Sequence, residues 1–330
     1  MKLCVLFIGW LIGPAAGLIA DPLRVAWLPR DTQWVAHVNI SKIFGTSLGG
    51  QRVEEAFSPA IREIEGALLA ASGVEVSLKS VFDITVFGRS YDDDGASAVV
   101  LAHTSAPVGD FLEKLRARLI ADHPESASSF TKERRAGYSV FTTEDDLLAA
   151  EILPNRLALA PSVSLLDSTR QALQARSTAS ASLLAELPDP DEDAALTLLA
   201  VGLDRAQEVP KELRILRKAK AVQLDLIHRE DRMVSRIGVL TEDPETAELV
   251  HSVFRGMLAT LRLMWETGPS DSSDLPPSVS EWMRGDWSQW IESGVDRSLV
   301  NIELSFPSNV ALDTLKKVSR PPKETQESHP

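Results

Sequence analysis

One five-residue stretch has the spacing of a serine nucleophile. Residues 45–49 (GTSLG) match G-x-S-x-G, with Ser47 in the nucleophile position. In α/β-hydrolases this motif places the serine on a sharp turn between a strand and a helix, on a largely parallel sheet. Here residues 41–44 separate Gly45 from the preceding predicted strand, and a glycine turn with Ser47 as helix N-cap explains the same residues. We prefer the capping interpretation and keep a serine hydrolase using Ser47 as the alternative function.

Tryptophans towards the C-terminal end form a second candidate site. They are Trp265, Trp282, Trp287 and Trp290. Indole rings stack on sugars or anchor partner proteins, whereas the preferred interpretation is a satellite core that fills the open end of a sheet. As ligand- or partner-binding residues, they would meet an envelope protein or a glycan.

Histidines and clustered carboxylates do not form a recognisable metal motif. The histidines are His37, His103, His123, His228, His251 and His329. None forms an H-x-H or H-x-x-x-H pair, so ordinary hydrogen-bonded histidines are the preferred interpretation over a zinc site. The acidic run 92–94 lacks the spaced ligands of a calcium loop, and we predict a hairpin turn in which Gly95 takes a positive φ. We therefore predict no metal and no cofactor.

The composition is that of an acidic globular protein. The 330 residues are 44% hydrophobic and 25% charged, with 34 basic and 47 acidic side chains and a net charge of -13. Such a chain repels phosphate backbones, so nucleic acid is excluded as a partner.

The first 20 residues have the pattern of an export signal. Lys2 precedes an apolar stretch, Leu3–Ile12, and small residues lead up to Asp21. We predict cleavage after Gly17 or Ala20 and a periplasmic or secreted protein without a membrane span, with a retained anchor as the alternative. Cys4 is the only cysteine, so the mature chain would have no disulfide and no thiolate metal site.

The clearest element pattern runs from Ala219 to Glu266. Two apolar segments, 221–227 and 234–240, flank a charged turn, and apolar residues then recur at three-four spacing after Pro244. This pattern predicts a hairpin followed by a long helix. Thr104 and Pro107 precede an earlier helix at the same separation as Thr241 and Pro244, so we predict an internal repeat.

Each half of the chain is predicted to contain strand, helix, strand, strand, helix and strand. This order predicts an α+β fold of two tandem ferredoxin-like (βαββαβ) units, with antiparallel sheets and helices on one face. The expected segments are a signal peptide at 1–20, a first unit at 21–176, a linker at 177–193, a second unit at 194–318 and a disordered tail at 319–330.

The opening of the predicted mature chain resembles a group of bacterial proteins. Leu28-Pro29-x-Asp31-x-x-Trp34-Val35-x-His37-Val38, followed by Ser47-x-Gly49, is similar to the start of exported proteins of unknown function from planctomycete-type bacteria. The segment from Leu157 to Leu173 is similar to one in the same group. The resemblance implies an exported, duplicated α/β module, and it implies no activity.

From these patterns we expect a non-catalytic exported envelope protein that acts as a binding or assembly module. No G-x-G-x-x-G, P-loop or H-E-x-x-H motif stands in its proper context, which weakens an enzymatic hypothesis. Self-association through an uncovered sheet face is a third hypothesis.

Overall fold

The computed structural model describes residues 22–45, 65–66, 69, 80–91, 95–122, 124, 131–135, 137–142, 147–175, 183–203, 211–229, 231–267 and 290–310. Its strands are β1 Trp34–Asn39, β2 Val81–Gly88, β3 Val99–Thr104, β4 Lys132–Arg135, β5 Tyr138–Thr142, β6 Leu148–Leu153, β7 Arg156–Ala160, β8 Ala194–Val201, β9 Ala219–Arg229, β10 Arg232–Thr241, β11 Ile291–Asp296 and β12 Leu299–Pro307. Its α-helices are α1 Ile40–Gly45, α2 Gly109–Asp122, α3 Val163–Ala175 and α4 Pro244–Thr267. Short 3-10 helices occupy Val25–Trp27, Leu183–Glu186 and Lys211–Lys218.

The described strands form one sheet. Its order is β11-β12-β10-β9-β8-β1-β2-β3-β7-β6-β5-β4, and every pairing between these strands is antiparallel. β1 lies at the junction of the two halves, because it pairs with β2 on one edge and with β8 on the other. The two halves of the chain therefore share one sheet.

The prediction of two tandem ferredoxin-like units is wrong. Two tandem units would each have a separate sheet, whereas the described strands form one sheet in which β1 pairs with β2 of its own half and with β8 of the other. The edge that β1 would expose in a separate first unit is covered by β8, which also hides the backbone groups of an otherwise open sheet edge. Two short strands, β4 and β11, were also missed, because β4 is highly charged and β11 contains Gly294.

Helices cover both faces of the sheet, which corrects the expectation of helices on one face. α3 contributes Leu165 and Leu166 to a buried core that also contains Val35, Phe87 and Leu199, and we call this side the α3 face. The opposite side, the α2/α4 face, is covered by these two helices. One row of opposed strand residues runs across this face beneath both of them. The row is Val86, Ala36, Leu198, Leu224 and Ile237; Val86 packs in the core under α2 and Ile237 in the core under α4.

The junctions that precede α2 and α4 have matching hydrogen bonds. Thr104 donates its backbone N–H to the Asn155 carbonyl (2.9 Å) and its hydroxyl to the Ala106 carbonyl (2.7 Å). Thr241 donates in the same way to the carbonyls of Ser298 (2.8 Å) and Asp243 (2.9 Å). Each threonine thus ties the start of a helix to the turn of the neighbouring hairpin.

Part of the predicted linker packs on the sheet. Leu184 and Leu187 are buried in the core of the α3 face, and the Asp191 backbone N–H approaches the Asp225 carboxylate at 3.4 Å. Residues 183–193 therefore form a wall on the α3 face.

Among the helices of the described ranges, none combines enough length with enough apolar character to cross a membrane.

Candidate functional site: an acidic groove on the α3 face

A row of polar side chains crosses the middle of the α3 face. In this cross-strand row each member lies opposite the next on a neighbouring strand: Thr85, His37, Thr197, Asp225, Arg236 and Glu303. Directly opposed residues project to the same side of a sheet. Polar side chains on the inward face of strands are costly unless hydrogen-bonded, so their partners decide what the row can do.

At one end the row adjoins a buried ionic cluster. Asp83 is 2% exposed, and its Oδ2 lies 3.1 Å from His103 Nδ1. Its Oδ1 lies 3.5 Å from Arg156 Nη1. The three residues occupy adjacent strands, with His103 between Asp83 and Arg156 in the register. Asp83 is buried, and the His103 and Arg156 side chains keep exposed fractions of only 17% and 13%.

His37 is buried beside this cluster, with its Nδ1 2.9 Å from Thr85 Oγ1. Burial lowers the pKa of His37, the negative charge of Asp83 opposes this shift, and the positive charge of Arg156 adds to it. The ring is therefore neutral in the folded protein at neutral pH. A histidine–threonine pair resembles a base and a nucleophile, but both side chains are almost fully buried and cannot contact a substrate.

The lowered pKa of His37 predicts a loss of stability in mild acid. A histidine in the unfolded chain takes up its proton at about pH 6.5, whereas the folded chain resists protonation of His37. The contribution of His37 to the free energy of unfolding is therefore complete above that pH, and it declines as the pH falls towards the folded-state pKa. Urea unfolding at about pH 7.5 and about pH 5.5 should show a smaller free-energy decrease for His37→Gln than for the unmodified chain. Equal decreases would contradict the assignment.

At the other end the row opens into a groove, which we call the acidic groove. It encloses about 520 Å³ between residues 188–191 and strands β9, β10, β12 and β11. Its floor contains a second row, in which Gln223, Gly238, Asn301 and Gly294 are opposed in turn. The two glycines leave space above the sheet. A Cβ added at Gly294 would meet no atom within 4 Å, and one at Gly238 would meet its nearest atoms at 3.8 Å.

The acidic groove is bordered by an arginine held between carboxylates. Arg236 Nη1 lies 2.5 Å from Asp191 Oδ2, and its Nε lies 2.7 Å from Glu303 Oε2. The hydrogen bond with Glu303 raises the pKa of Arg236. Arg236 thus fixes the wall formed by Asp191 to strand β12.

Asp225 and Gln223 are the buried polar groups of the floor. They are 3% and 5% exposed. The Asp225 carboxylate accepts hydrogen bonds from the Thr197 hydroxyl (2.7 Å) and the Gln223 amide nitrogen (2.6 Å). The Gln223 Oε1 atom has no hydrogen-bond partner among the described residues. Buried polar atoms are normally paired; Gln223 Oε1 is one of seven exceptions in the described ranges, and the one whose residue lines this groove.

A larger hollow near α2 is a weaker candidate. It encloses about 720 Å³ and includes Glu151 and Tyr138. The Glu151 carboxylate accepts hydrogen bonds from the backbone N–H groups of Gly109 and Asn155, at 2.8 and 2.9 Å. Burial raises the pKa of Tyr138 to about 12, and its hydroxyl donates to Asp167 at 2.6 Å. Both groups are engaged in holding elements together.

The residues that the sequence suggested as sites do not converge in the described ranges. Ser47, Trp282 and Trp287 lie outside the described residues, and Trp265 belongs to α4 without a described side chain. Trp290 is partly exposed, and the Arg232 guanidinium lies 4.3 Å from its ring centroid. The binding role of the four tryptophans stays a prediction.

The structural context of Ser47 differs from that of a hydrolase. Gly45, the first glycine of the motif, is the last residue of helix α1, and the described sheet is antiparallel. A nucleophile elbow needs a strand ending at that glycine and a largely parallel sheet. The described residues therefore give no support to the hydrolase alternative.

Three described histidines make hydrogen bonds, whereas the Nε2 atoms of His37 and His228 are buried without a partner among the described residues. His103 contacts Asp83, and His251 Nε2 lies 2.9 Å from Ser293 Oγ. Within the described ranges, no group of three or more histidine, cysteine or acidic side chains could hold a metal ion. Gly95 has a φ of +85°, as predicted for the acidic turn, whereas residues 92–94 and His123 and His329 lie outside the description.

The main residues of the acidic groove were missed by the sequence reasoning. Gln223 and Asp225 share the parity of Ala221 and Ile227 along β9, and strands place alternate residues on one face. Two polar residues on the inward side of an otherwise apolar segment were the available signal. Their partners in the groove lie on other strands, and the local sequence does not show which strands are neighbours in the sheet.

Comparisons with known proteins provide a weak structural likeness. No protein-family model matches the chain, and no curated protein matches it. Crystal form IV of TP0453 is 8% identical with a TM-score of 0.41, over 89% of this chain and 100% of that one. Crystal form I of TP0453 is 7% identical with a TM-score of 0.38, over 91% and 97% of the two chains.

Proposed function

We propose that the chain is a non-catalytic exported protein of the cell envelope whose acidic groove binds a ligand. The observation that carries the proposal is the floor of the groove, where the buried Gln223 and Asp225 lie beside two glycines that leave the space above them free. The volume of about 520 Å³ lies within the range of small-molecule sites.

The non-catalytic part of the proposal is supported by the state of the titratable groups. His37 and Asp83 are buried, and His103, whose side chain is 17% exposed, is held by Asp83. A general base must reach the proton that it abstracts, and the burial of His37 and Asp83 keeps them from a substrate at the surface. Labelling of Ser47 by a fluorophosphonate probe would contradict this part of the proposal.

Export and duplication belong to the same proposal. Export is supported by the signal pattern of residues 1–20 and by the resemblance of the opening to exported bacterial proteins. An internal duplication is supported by the matching hydrogen bonds of Thr104 and Thr241. The two threonines precede helices that lie on the same face of the sheet.

The binding role predicts selective stabilisation of the protein by a ligand of the groove. The full-length chain, Gly238→Val and Gly256→Val would be heated with small sets of organic cations, anions, sugars and short peptides. Gly256 is an exposed glycine of α4 with no atom within 4 Å of an added Cβ, so it is a matched control outside the groove. At a hundredfold excess over Kd, a ligand should raise Tm by roughly 5 °C in the unmodified chain and in Gly256→Val only. If no class of compound shows this difference, the proposal is overturned.

A further inference from the structure

The acidic groove carries an excess of negative charge. Among the described residues that line it, the carboxylates are Asp189, Asp191, Asp225, Glu292 and Glu303, and the cation is Arg236. Arg236 is already held between Asp191 and Glu303. Asp189 and Glu292 form no ion pair with another described residue. A cleft lined mainly by one sign of charge concentrates ligands of the opposite sign.

The side-chain oxygen of Gln223, which has no donor among the described residues, indicates the kind of group that would bind at the floor. Gln223 is 5% exposed, and its amide nitrogen is committed to Asp225 at 2.6 Å. Its Oε1 atom is an acceptor without a donor among the described residues. A buried acceptor that is left unpaired destabilises a fold. An ammonium group has three N–H donors and no acceptor, so it satisfies both this oxygen and the surrounding carboxylates.

The spacing of the charges favours an extended cation over a single metal ion. The carboxylates are distributed over residues 189–191 and strands β9, β11 and β12. No group of three or more of the described histidine and acidic side chains is close enough to hold a metal ion. Separate ammonium groups on a flexible chain can each reach one carboxylate, and the methylene groups between them can lie over the glycine floor.

We propose that the acidic groove binds an organic polycation that carries primary ammonium groups, a polyamine. This inference rests on the proposed binding function and names the chemical class of the ligand. One ammonium group pairs with Asp225 and Gln223 at the floor, and another pairs with Glu292 at the rim. The attraction is electrostatic and is therefore weakened by salt.

The test uses isothermal titration of the full-length chain with spermidine and with putrescine at low and moderate salt. Saturable binding of one spermidine is expected, with putrescine binding more weakly because it has fewer charges. Gly238→Val should weaken binding by at least about tenfold by filling the floor. Gly294→Val, whose added Cβ has open space, provides a second blocking variant should Gly238→Val fold poorly. Glu292→Gln should weaken binding about two- to fivefold.

Two controls separate the acidic groove from the acidic surface in general. Asp122→Asn removes a surface carboxylate that pairs with Arg118 at 2.8 Å and should leave spermidine affinity within about twofold. Gly256→Val should leave it unchanged. Equal binding by the blocking variants and the unmodified chain would overturn the inference, because it would show attraction to the overall charge.

The failure of this inference can be told from the failure of the proposed function. Should an anion, a sugar or a peptide stabilise the chain in a manner blocked by Gly238→Val while spermidine does not bind, the ligand class is wrong and the binding function stands. Stoichiometric displacement of spermidine by Ca²⁺ would also overturn the polyamine assignment. If Gly238→Val blocks stabilisation by none of the compound classes, both proposals are wrong.

Discussion

Replacing Asp83 with alanine is expected to lower the free energy of unfolding by about 3–5 kcal/mol. The Asp83 side chain is 2% exposed and faces His103 at 3.1 Å and Arg156 at 3.5 Å. The Arg156 side chain is 13% exposed. The variant removes the carboxylate that faces both His103 and this largely buried guanidinium, and removing one partner of a buried ion pair is strongly destabilising. Urea denaturation at neutral pH measures the change.

The surface pair Arg118–Asp122 provides the matched control. Its atoms are 2.8 Å apart, but the two side chains are 53% and 46% exposed. Asp122→Ala should therefore change the free energy of unfolding by less than about 0.5 kcal/mol. Similar values for Asp83→Ala and Asp122→Ala would mean that the cluster around Asp83 is solvated and that its placement on the α3 face is wrong.

The second large effect is expected at Leu166. Leu166 is 0% exposed and packs α3 against the sheet in the core that also contains Val35 and Phe87. Leu166→Ala should cost about 3–5 kcal/mol, because it removes buried methyl groups and leaves a cavity. Thermal and urea unfolding of the variant give this value.

Leu249 is the corresponding control on α4. It is also a helical leucine, but it is 54% exposed. Leu249→Ala should be within about 0.5 kcal/mol of the unmodified chain, since alanine favours a helix at least as well. A small loss at Leu166 would contradict the packing of α3 on the face opposite α2 and α4.

The two large effects illustrate how differently a core and a polar site are encoded. Leu166 belongs to a helix whose apolar spacing was visible over residues 163–173, and the structure has α3 at Val163–Ala175. The sequence did not show which face of the sheet α3 covers. Asp83 lies inside an apolar strand predicted at 81–87, and β2 runs over Val81–Gly88. Its partners, His103 and Arg156, depend on the order β2-β3-β7.

The same dependence on strand order explains why the acidic groove was not predicted from the sequence. The hairpin of β9 and β10 and the start of α4 at Pro244 were predicted closely, because alternation, a charged turn and three-four spacing are local signals. The groove needed β12 beside β10 and β11 beyond it. β11 carries Gly294 and charged residues, so its sequence does not have the apolar alternation by which strands are recognised.

The amino-acid sequence by itself determined the acidic charge, the lack of any cysteine after Cys4 and the positions of most strands and helices, because these depend on composition and on neighbours a few residues away. Only the tertiary structure decided that the halves share one sheet. That outcome depends on β1 and β8, whose opposed residues include Val38 and Leu196. Alternation along a strand states which residues share a face, but strand order is chosen by burial and edge pairing across the whole chain.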